Sequence, residues 1–175
     1  GLTKSEKIFA WTSVIMLAQI TGHPDAPTNA VKGEARARLQ VRHTADVPGE
    51  AIIPALRAHL DAEGFPMAQP IPVMEHDMFG ASRTDPADPW VGMVAGSMAR
   101  TANRAPNVIP NSSGSNPSNI FAEELGVPVI WVPNSYAGCN QHGPDEHALA
   151  PLLREGLGLM AGIWWDIGAG AAPRR

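Results

Sequence analysis

Apolar residues near the start of the chain recur at close to helical spacing. Ile8, Trp11, Ile15 and Met16 follow a capping Thr3 or Ser5, which predicts a helix over 3–20 stopped by Thr21-Gly22-His23-Pro24. After a loop over 23–29 the period drops to two. Ala35/Arg36, Ala37/Arg38, Leu39/Gln40 and Val41/Arg42 predict a strand over 34–42 with one buried face and one basic, solvated face. Pro48-Gly49-Glu50 then opens a predicted helix carrying Ile52, Ile53, Leu56 and Leu60, closed by Gly64 and Pro66. An extended run over 67–74 completes a strand-helix-strand lobe of α+β character.

Asp85-Pro86 and Asp88-Pro89 punctuate a turn-rich connector over 79–89 and mark a lobe boundary. The expected organisation is a first lobe over 1–80, a second over 81–170 and a Gly/Ala/Pro tail over 171–175. In the second lobe the pattern predicts a helix over 90–101, a short strand over 107–110 and a helix over 117–125 stopped by Gly126. The β-branched run 127–132 fits a strand buried on both faces of a layered sheet. A long helix over 150–165 directs Leu152, Leu153, Leu157 and Met160 to the core, with Gly156, Gly158 and Gly162 permitting close packing. Trp131, Trp164 and Trp165 read as core and interface rather than a ligand cage. Alternating strands and helices make this lobe α/β.

Composition narrows the function classes. With 44% hydrophobic residues in 175, the chain has material for a real core. Thirteen basic against 17 acidic residues, without a Lys/Arg stripe, argue against a nucleic-acid partner. Cys139 stands alone, which excludes an intrachain disulfide and makes a reducing cytoplasm the expected compartment. The apolar run over 14–20 is too short to span a bilayer and is broken by Gln19, so no membrane is expected. A start at Gly1 and an end on Arg174-Arg175 suggest a trimmed or partial chain.

Two segments carry candidate chemistry. Asn111-Ser112-Ser113-Gly114-Ser115-Asn116-Pro117 lies between a predicted strand and a predicted helix, where backbone N–H groups can converge on a carboxylate. The plainer alternative, which the local residues favour, is a capped loop with Ser115 or Asn116 as N-cap and Pro117 at the first helical position. The second segment is Gln141-His142-Gly143-Pro144-Asp145-Glu146-His147, a turn-rich loop before the last helix. Its two imidazoles flank two carboxylates, although spacing alone favours surface or hydrogen-bonded histidines, with His147 closing the loop. His23, His43, His59 and His76 show no clustering. Cys139 reads as a buried inert thiol, and the absence of a Gly-x-Ser-x-Gly elbow argues against covalent catalysis.

These residues resemble a known family. Ser113-Gly114-Ser115-Asn116-Pro117, Phe121-Ala122-Glu123-Glu124-Leu125-Gly126-Val127-Pro128 and the Gln141-to-His147 segment are similar, in order and spacing, to the C-terminal part of the dizinc metallopeptidases. That family includes carboxypeptidases, aminoacylases, acetylornithine deacetylases and succinyl-diaminopimelate desuccinylases. Thr28-Asn29-Ala30-Val31, the 34–42 strand and the helix after Pro48 resemble its lid or dimerisation domain. The implied fold is α/β: a partial α+β lid lobe followed by the C-terminal part of a layered α/β catalytic domain.

The resemblance implies an amide-bond hydrolase in which two zinc ions activate a water and a glutamate moves its proton. It makes His142 the last zinc ligand. Gly114 and Ser115 become binders of the substrate's carboxylate or acyl end, and Asn29 and Arg42 become lid residues that reach substrate across a dimer, with Asn111 a further substrate-side candidate. The family's His-x-Asp segment, Glu-Glu pair, further aspartate and lid histidine find no match, so no catalytic residue is assigned here. The implied molecule is a segment of an amidohydrolase acting on a small peptide or N-acyl amino acid, inactive without an N-terminal ligand-bearing part. It is expected to dimerise through the strand from Glu34. The alternative is a non-catalytic dimerisation module.

Overall fold

The computed structural model describes residues 3, 4, 7, 10–72, 80–112 and 114–174. They form two units, Gly1–Ser82 with Asn111–Asn119, and Arg83–Pro110 with Ile120–Arg175. The chain is mixed α/β, with a two-stranded antiparallel sheet in the first unit and helices in both.

The sheet pairs β1 (Ser13–Thr21) with β2 (Ala35–Arg42). Ser13 lies opposite Arg42, Met16 opposite Leu39 and Thr21 opposite Ala35, and a register shift between Met16 and Ala18 leaves Leu17 as a bulge. This corrects the helix expected over 3–20. Among its described residues only Lys4 and Lys7 are helical, with the Lys7 N–H donating to the Thr3 carbonyl at 3.1 Å. Val14, Ile15, Ile20 and Thr21 are β-branched, with side chains that suit a pleated strand better than a helix. Residues 14–18 are continuously apolar, so the helical spacing read through Ile15 and Met16 reflected a run without a period of its own.

β2 follows its alternating pattern, but the buried face expected for it is absent among the described residues. Ala35, Ala37 and Leu39 are exposed, and only Gln40, Val41 and Arg42 are half-buried. Helix α1 (Gly49–Ala62) ends at Gly64, whose φ of +84° takes the left-handed region that closes helices. There the Phe65 N–H reaches the Leu60 carbonyl at 2.8 Å. Arg57 pairs with Asp61, Nε to Oδ2 at 3.1 Å, and also reaches the carbonyls of Pro66 and Ala68, tying down the following turn. No strand occupies 67–72, where Pro70 and Pro72 remove ladder donors, while the rest of the run expected to 74 lies outside the described residues.

The second unit rests on α2 (Pro89–Ala102) and α3 (Ala150–Asp166). Asp88 caps α2, accepting the Trp90 N–H at 2.8 Å ahead of Pro89, and Asn103 at φ +52° ends it. Thr101 faces Gly162, Arg100 meets Asp166 at 2.6 Å and Arg104 meets Glu155 at 2.8 Å. Position rises along α2 as it falls along α3, so the pair is antiparallel. A Cβ on Gly162 would sit 2.3 Å from the Thr101 hydroxyl and one on Gly156 1.8 Å from Asn134, as the expected close packing requires. Gly158 faces open space.

Other expectations for this unit are corrected. Residues 107–110 and 127–132 form no strand, because a strand needs a ladder partner and the described residues supply none. The Thr84 hydroxyl instead serves Val129 as a one-residue partner, donating to its carbonyl at 2.8 Å and accepting its N–H at 2.9 Å. The helix expected over 117–125 is a short turn at Ser118 and Asn119 that widens into a π-turn, Ile120–Glu124, before Gly126 at φ +61°. The apolar core among the described residues is Val94, Cys139 and Ile163. Leu153 and Leu157, expected to face the core, are exposed, as are Trp131, Trp164 and Trp165, expected in core and interface. No described helix is long and apolar enough to cross a membrane.

Ile163 is the large apolar anchor of α3, and Ile163→Ala is expected to lower unfolding free energy by about 2–5 kcal/mol in denaturant titration. A pH effect is expected at Asp166. The neighbouring Ser97 hydroxyl and then the Arg100 guanidinium hold its carboxyl below the usual range. Ser97 Oγ, fully buried, misses hydrogen-bond geometry, so Arg100 is the firmer partner. A depressed folded pKa means the stabilisation is present above the unfolded carboxylate value of about 3.9 and is lost as pH falls through the folded value. The melting-temperature gap between wild type and Asp166→Asn should therefore be small at neutral pH, as for other exposed pairs, and close in acid.

Candidate functional site

The loop before α3 is built from residues that tolerate left-handed backbone. A single 3-10 turn, Ala137–Cys139, leads to Asn140 at φ +55°, His142 at φ +64° and Asp145 at φ +59°. Asn, Asp and His are the non-glycine residues most often found there, and such positions cost about 1–3 kcal/mol each unless their surroundings fix them. The surroundings do so. The Gly143 N–H donates to the Asn140 carbonyl at 2.8 Å, and the Asn140 side-chain amide donates to the Pro144 carbonyl. The His142 N–H donates to Glu146 Oε2 at 3.0 Å, and the His147 N–H closes the base on the Cys139 carbonyl at 3.1 Å. Cys139 is 3% exposed, as expected of an inert thiol, and anchors the ring to the core.

Glycine leaves room at two points. A Cβ on Gly138 would lie 2.4 Å from the Tyr136 ring, and one on Gly143 2.7 Å from the Asn140 amide. The result is a closed ring with His142 near its tip. The imidazole is exposed, and no hydrogen bond engages its ring nitrogens among the described residues. His147 differs: its Nδ1 lies 2.9 Å from the Asp145 carbonyl, an acceptor only, so that nitrogen is the donor of this contact. Beside the ring lies an open cleft of about 450 Å³ lined in part by Cys139, Gln141, Glu146, His147 and Leu153. His142 stands outside that lining.

The other sequence candidates lie in the first unit. Asn29 is exposed in the connection between the strands, and Arg42 ends β2, half-buried and opposite Ser13. Asn111 is half-buried, whereas Gly114 and Ser115 are exposed, and Ser113 lies outside the described residues. The Gly114 N–H is already engaged, donating to Ser112 Oγ at 3.3 Å. Asn116 accepts the Ser118 N–H at 2.8 Å, so the segment has the geometry of a capped loop. The helical turn that follows is too short to carry much dipole.

Sequence reasoning missed Glu146 and Asn140 as the groups that hold the ring. The run Asn140-Gln141-His142-Gly143-Pro144-Asp145 did carry the signal, since each left-handed position bears a residue type suited to it.

Among the described residues no three of His, Cys, Asp and Glu converge on one point, whereas a catalytic zinc site takes three protein ligands. The described residues therefore do not by themselves fit a complete zinc site, and no catalytic step is derived through the metal.

No family model matches the sequence, and no curated protein matches it. A solved structure does match in fold. It is an M20 family metallo-carboxypeptidase, Sso-CP2, from Sulfolobus solfataricus, with a TM-score of 0.74 and 20% sequence identity over 91% of this chain and 36% of that one. The chain has the fold of part of that peptidase. It spans about a third of the enzyme's length.

The ring makes its own prediction. Asn140→Ala removes the amide that holds Pro144 and puts a disfavoured residue at positive φ, with an expected loss of about 1–3 kcal/mol. Faster amide hydrogen exchange at Gly143 and His147 would register it, and Asn140→Gly should recover part of the loss.

Proposed function

We propose that this chain is the lid-bearing, C-terminal segment of a zinc-dependent amidohydrolase that cleaves a small peptide or an N-acyl amino acid. The observation that carries the reading is the fold shared with a metallo-carboxypeptidase over 91% of the chain, together with an imidazole held on a closed, left-handed ring. Residues 1–80 serve as the lid lobe and 81–170 as the C-terminal part of the catalytic domain, followed by a tail over 171–175. Backbone strain concentrates where function needs a side chain aimed, and here it concentrates around His142.

In this reading His142 is one metal ligand, and the other ligands and the general base belong to polypeptide outside this chain. The exposed imidazole suits that role, since its nitrogens remain available to an ion. Arg42 offers a forked, permanently charged donor to a substrate carboxylate, and Asn29 and Asn111 serve as amide donors to the substrate. Gly114 and Ser115 take the acyl or carboxylate end once the Gly114 N–H exchanges Ser112 for substrate. The lone, buried Cys139 suits a reducing cytoplasm.

A non-catalytic interaction module is the second reading, favoured by the lack of a three-donor cluster among the described residues. Zinc separates the two. The isolated chain is expected to hold no ion tightly. Mixed with a segment bearing the His-x-Asp and Glu-Glu ligands, it should bind zinc by mass spectrometry and hydrolyse an N-acyl amino acid. His142→Ala should weaken zinc binding by more than the roughly 10–100-fold that losing an outer-shell partner costs. Unchanged zinc content and activity in that variant would refute the metal-ligand role.

A further inference from the structure

We propose that Lys32 is a positioning residue, whose side chain closes the connection between β1 and β2 and orders Asn29 within it. The inference rests on the reading of Asn29 as an amide donor to substrate, and it names the group that prepares Asn29 for that role.

The ladder ends at the pair Thr21 and Ala35, so residues 22–34 join the strands without a helix or strand of their own. A two-residue turn suffices to join antiparallel strands, and a longer connection costs closure entropy that the turn avoids. Structureless connections beyond about 12 residues are uncommon and usually carry function. Within this one every residue is exposed except Gly22 and Lys32, which are half-buried. No apolar side chain anchors it, and Val31, next to Lys32, is fully exposed.

Lys32 makes the contacts that hold the connection together. Its stem lies over Gly22, where a Cβ would sit 2.8 Å from Lys32 Cε, 3.1 Å from Cγ and 3.3 Å from Cδ. Gly22 takes φ +75°, a conformation that suits glycine, and its missing side chain leaves the space that the lysine methylenes fill. The ammonium donates to Thr28 Oγ1. Glu34, the nearest carboxylate in sequence, pairs with Arg36 instead, which leaves the Lys32 ammonium to the hydroxyl. The first contact ties the end of the connection to its beginning. The second closes residues 28–32 into a ring that contains Asn29. The remaining turn, in which the Ala26 N–H donates to the His23 carbonyl at 3.1 Å, stops short of Thr28. Asn29 is exposed, and its side-chain amide has no hydrogen-bond partner among the described residues. Its backbone is thus bounded on both sides while the amide stays available, so engaging a ligand there costs less conformational entropy.

Two measurements test the inference. In the full chain, Lys32→Ala should lower the backbone amide order parameter of Asn29 from the rigid range near about 0.85 toward the flexible range below about 0.6. Lys32→Arg, which keeps a stem and a donor, should restore it. In the enzyme assembled with the ligand-bearing segment and assayed on an N-acetyl amino acid, Lys32→Ala should raise KM roughly threefold or more with kcat unchanged, as Asn29→Ala should. The double variant should be no worse than Asn29→Ala alone, because a residue that acts through Asn29 then has nothing to position. Unchanged order parameters in Lys32→Ala, or KM increases that multiply in the double variant, would overturn the inference. A KM raised by Asn29→Ala but not by Lys32→Ala overturns the positioning role alone. If Asn29→Ala itself leaves KM unchanged, the substrate role of Asn29 falls and the inference with it. An assembled enzyme without activity counts against the amidohydrolase reading, and the order parameters then decide whether Lys32 orders Asn29.

Discussion

The close approach of α2 and α3 is the contact on which the second unit depends. Gly162 on α3 leaves room for Thr101 of α2, and Gly156 leaves room for Asn134 of the segment before the ring, each where a Cβ would meet a side-chain atom. That approach encloses Ser97 completely and buries Val94 and Ile163, while Arg100–Asp166 and Arg104–Glu155 pin the antiparallel direction. Because α3 begins where the His142 ring ends, the helix pair also fixes one end of that ring. Cys139, buried at the other end, fixes the second.

Within that frame the ring converts local strain into a defined shape. Three left-handed residues in six would not persist in an unsupported loop. They persist because the Asn140 amide, the Glu146 carboxylate and the Cys139 carbonyl each close part of the ring around them. The arrangement holds the His142 backbone while its exposed imidazole has no hydrogen-bond partner among the described residues. His147, by contrast, uses a ring nitrogen to brace the loop.

The extent of exposed apolar surface separates this chain from an ordinary compact domain of its size. Trp164, Trp165, Leu153 and Leu157 face solvent, and the buried apolar core among the described residues holds three side chains. With the fold covering 36% of the metallo-carboxypeptidase it resembles, the proposed reading takes these surfaces as contacts for the rest of a larger catalytic fold. In that light the expectation of inward-facing Leu153 and Leu157 misplaced a partner rather than a polarity.

Much was legible from local pattern. The alternation over 34–42, the helices expected over 90–101 and 150–165 and the glycine stop at Gly64 are governed by interactions within a few residues, and each element appeared where its residues dictate. The turn-rich loop before α3 was legible for the same reason, because Asn, His and Asp at left-handed positions are local choices. What tertiary structure decided were the outcomes that depend on a partner distant in the chain. Residues 13–21 became a strand because β2 supplies a ladder, whereas 127–132 did not because the described residues supply none beyond the Thr84 hydroxyl. An apolar run carries the tendency to be buried, but hydrogen-bond partners and packing surfaces decide its conformation, and a run without period leaves that choice to the fold.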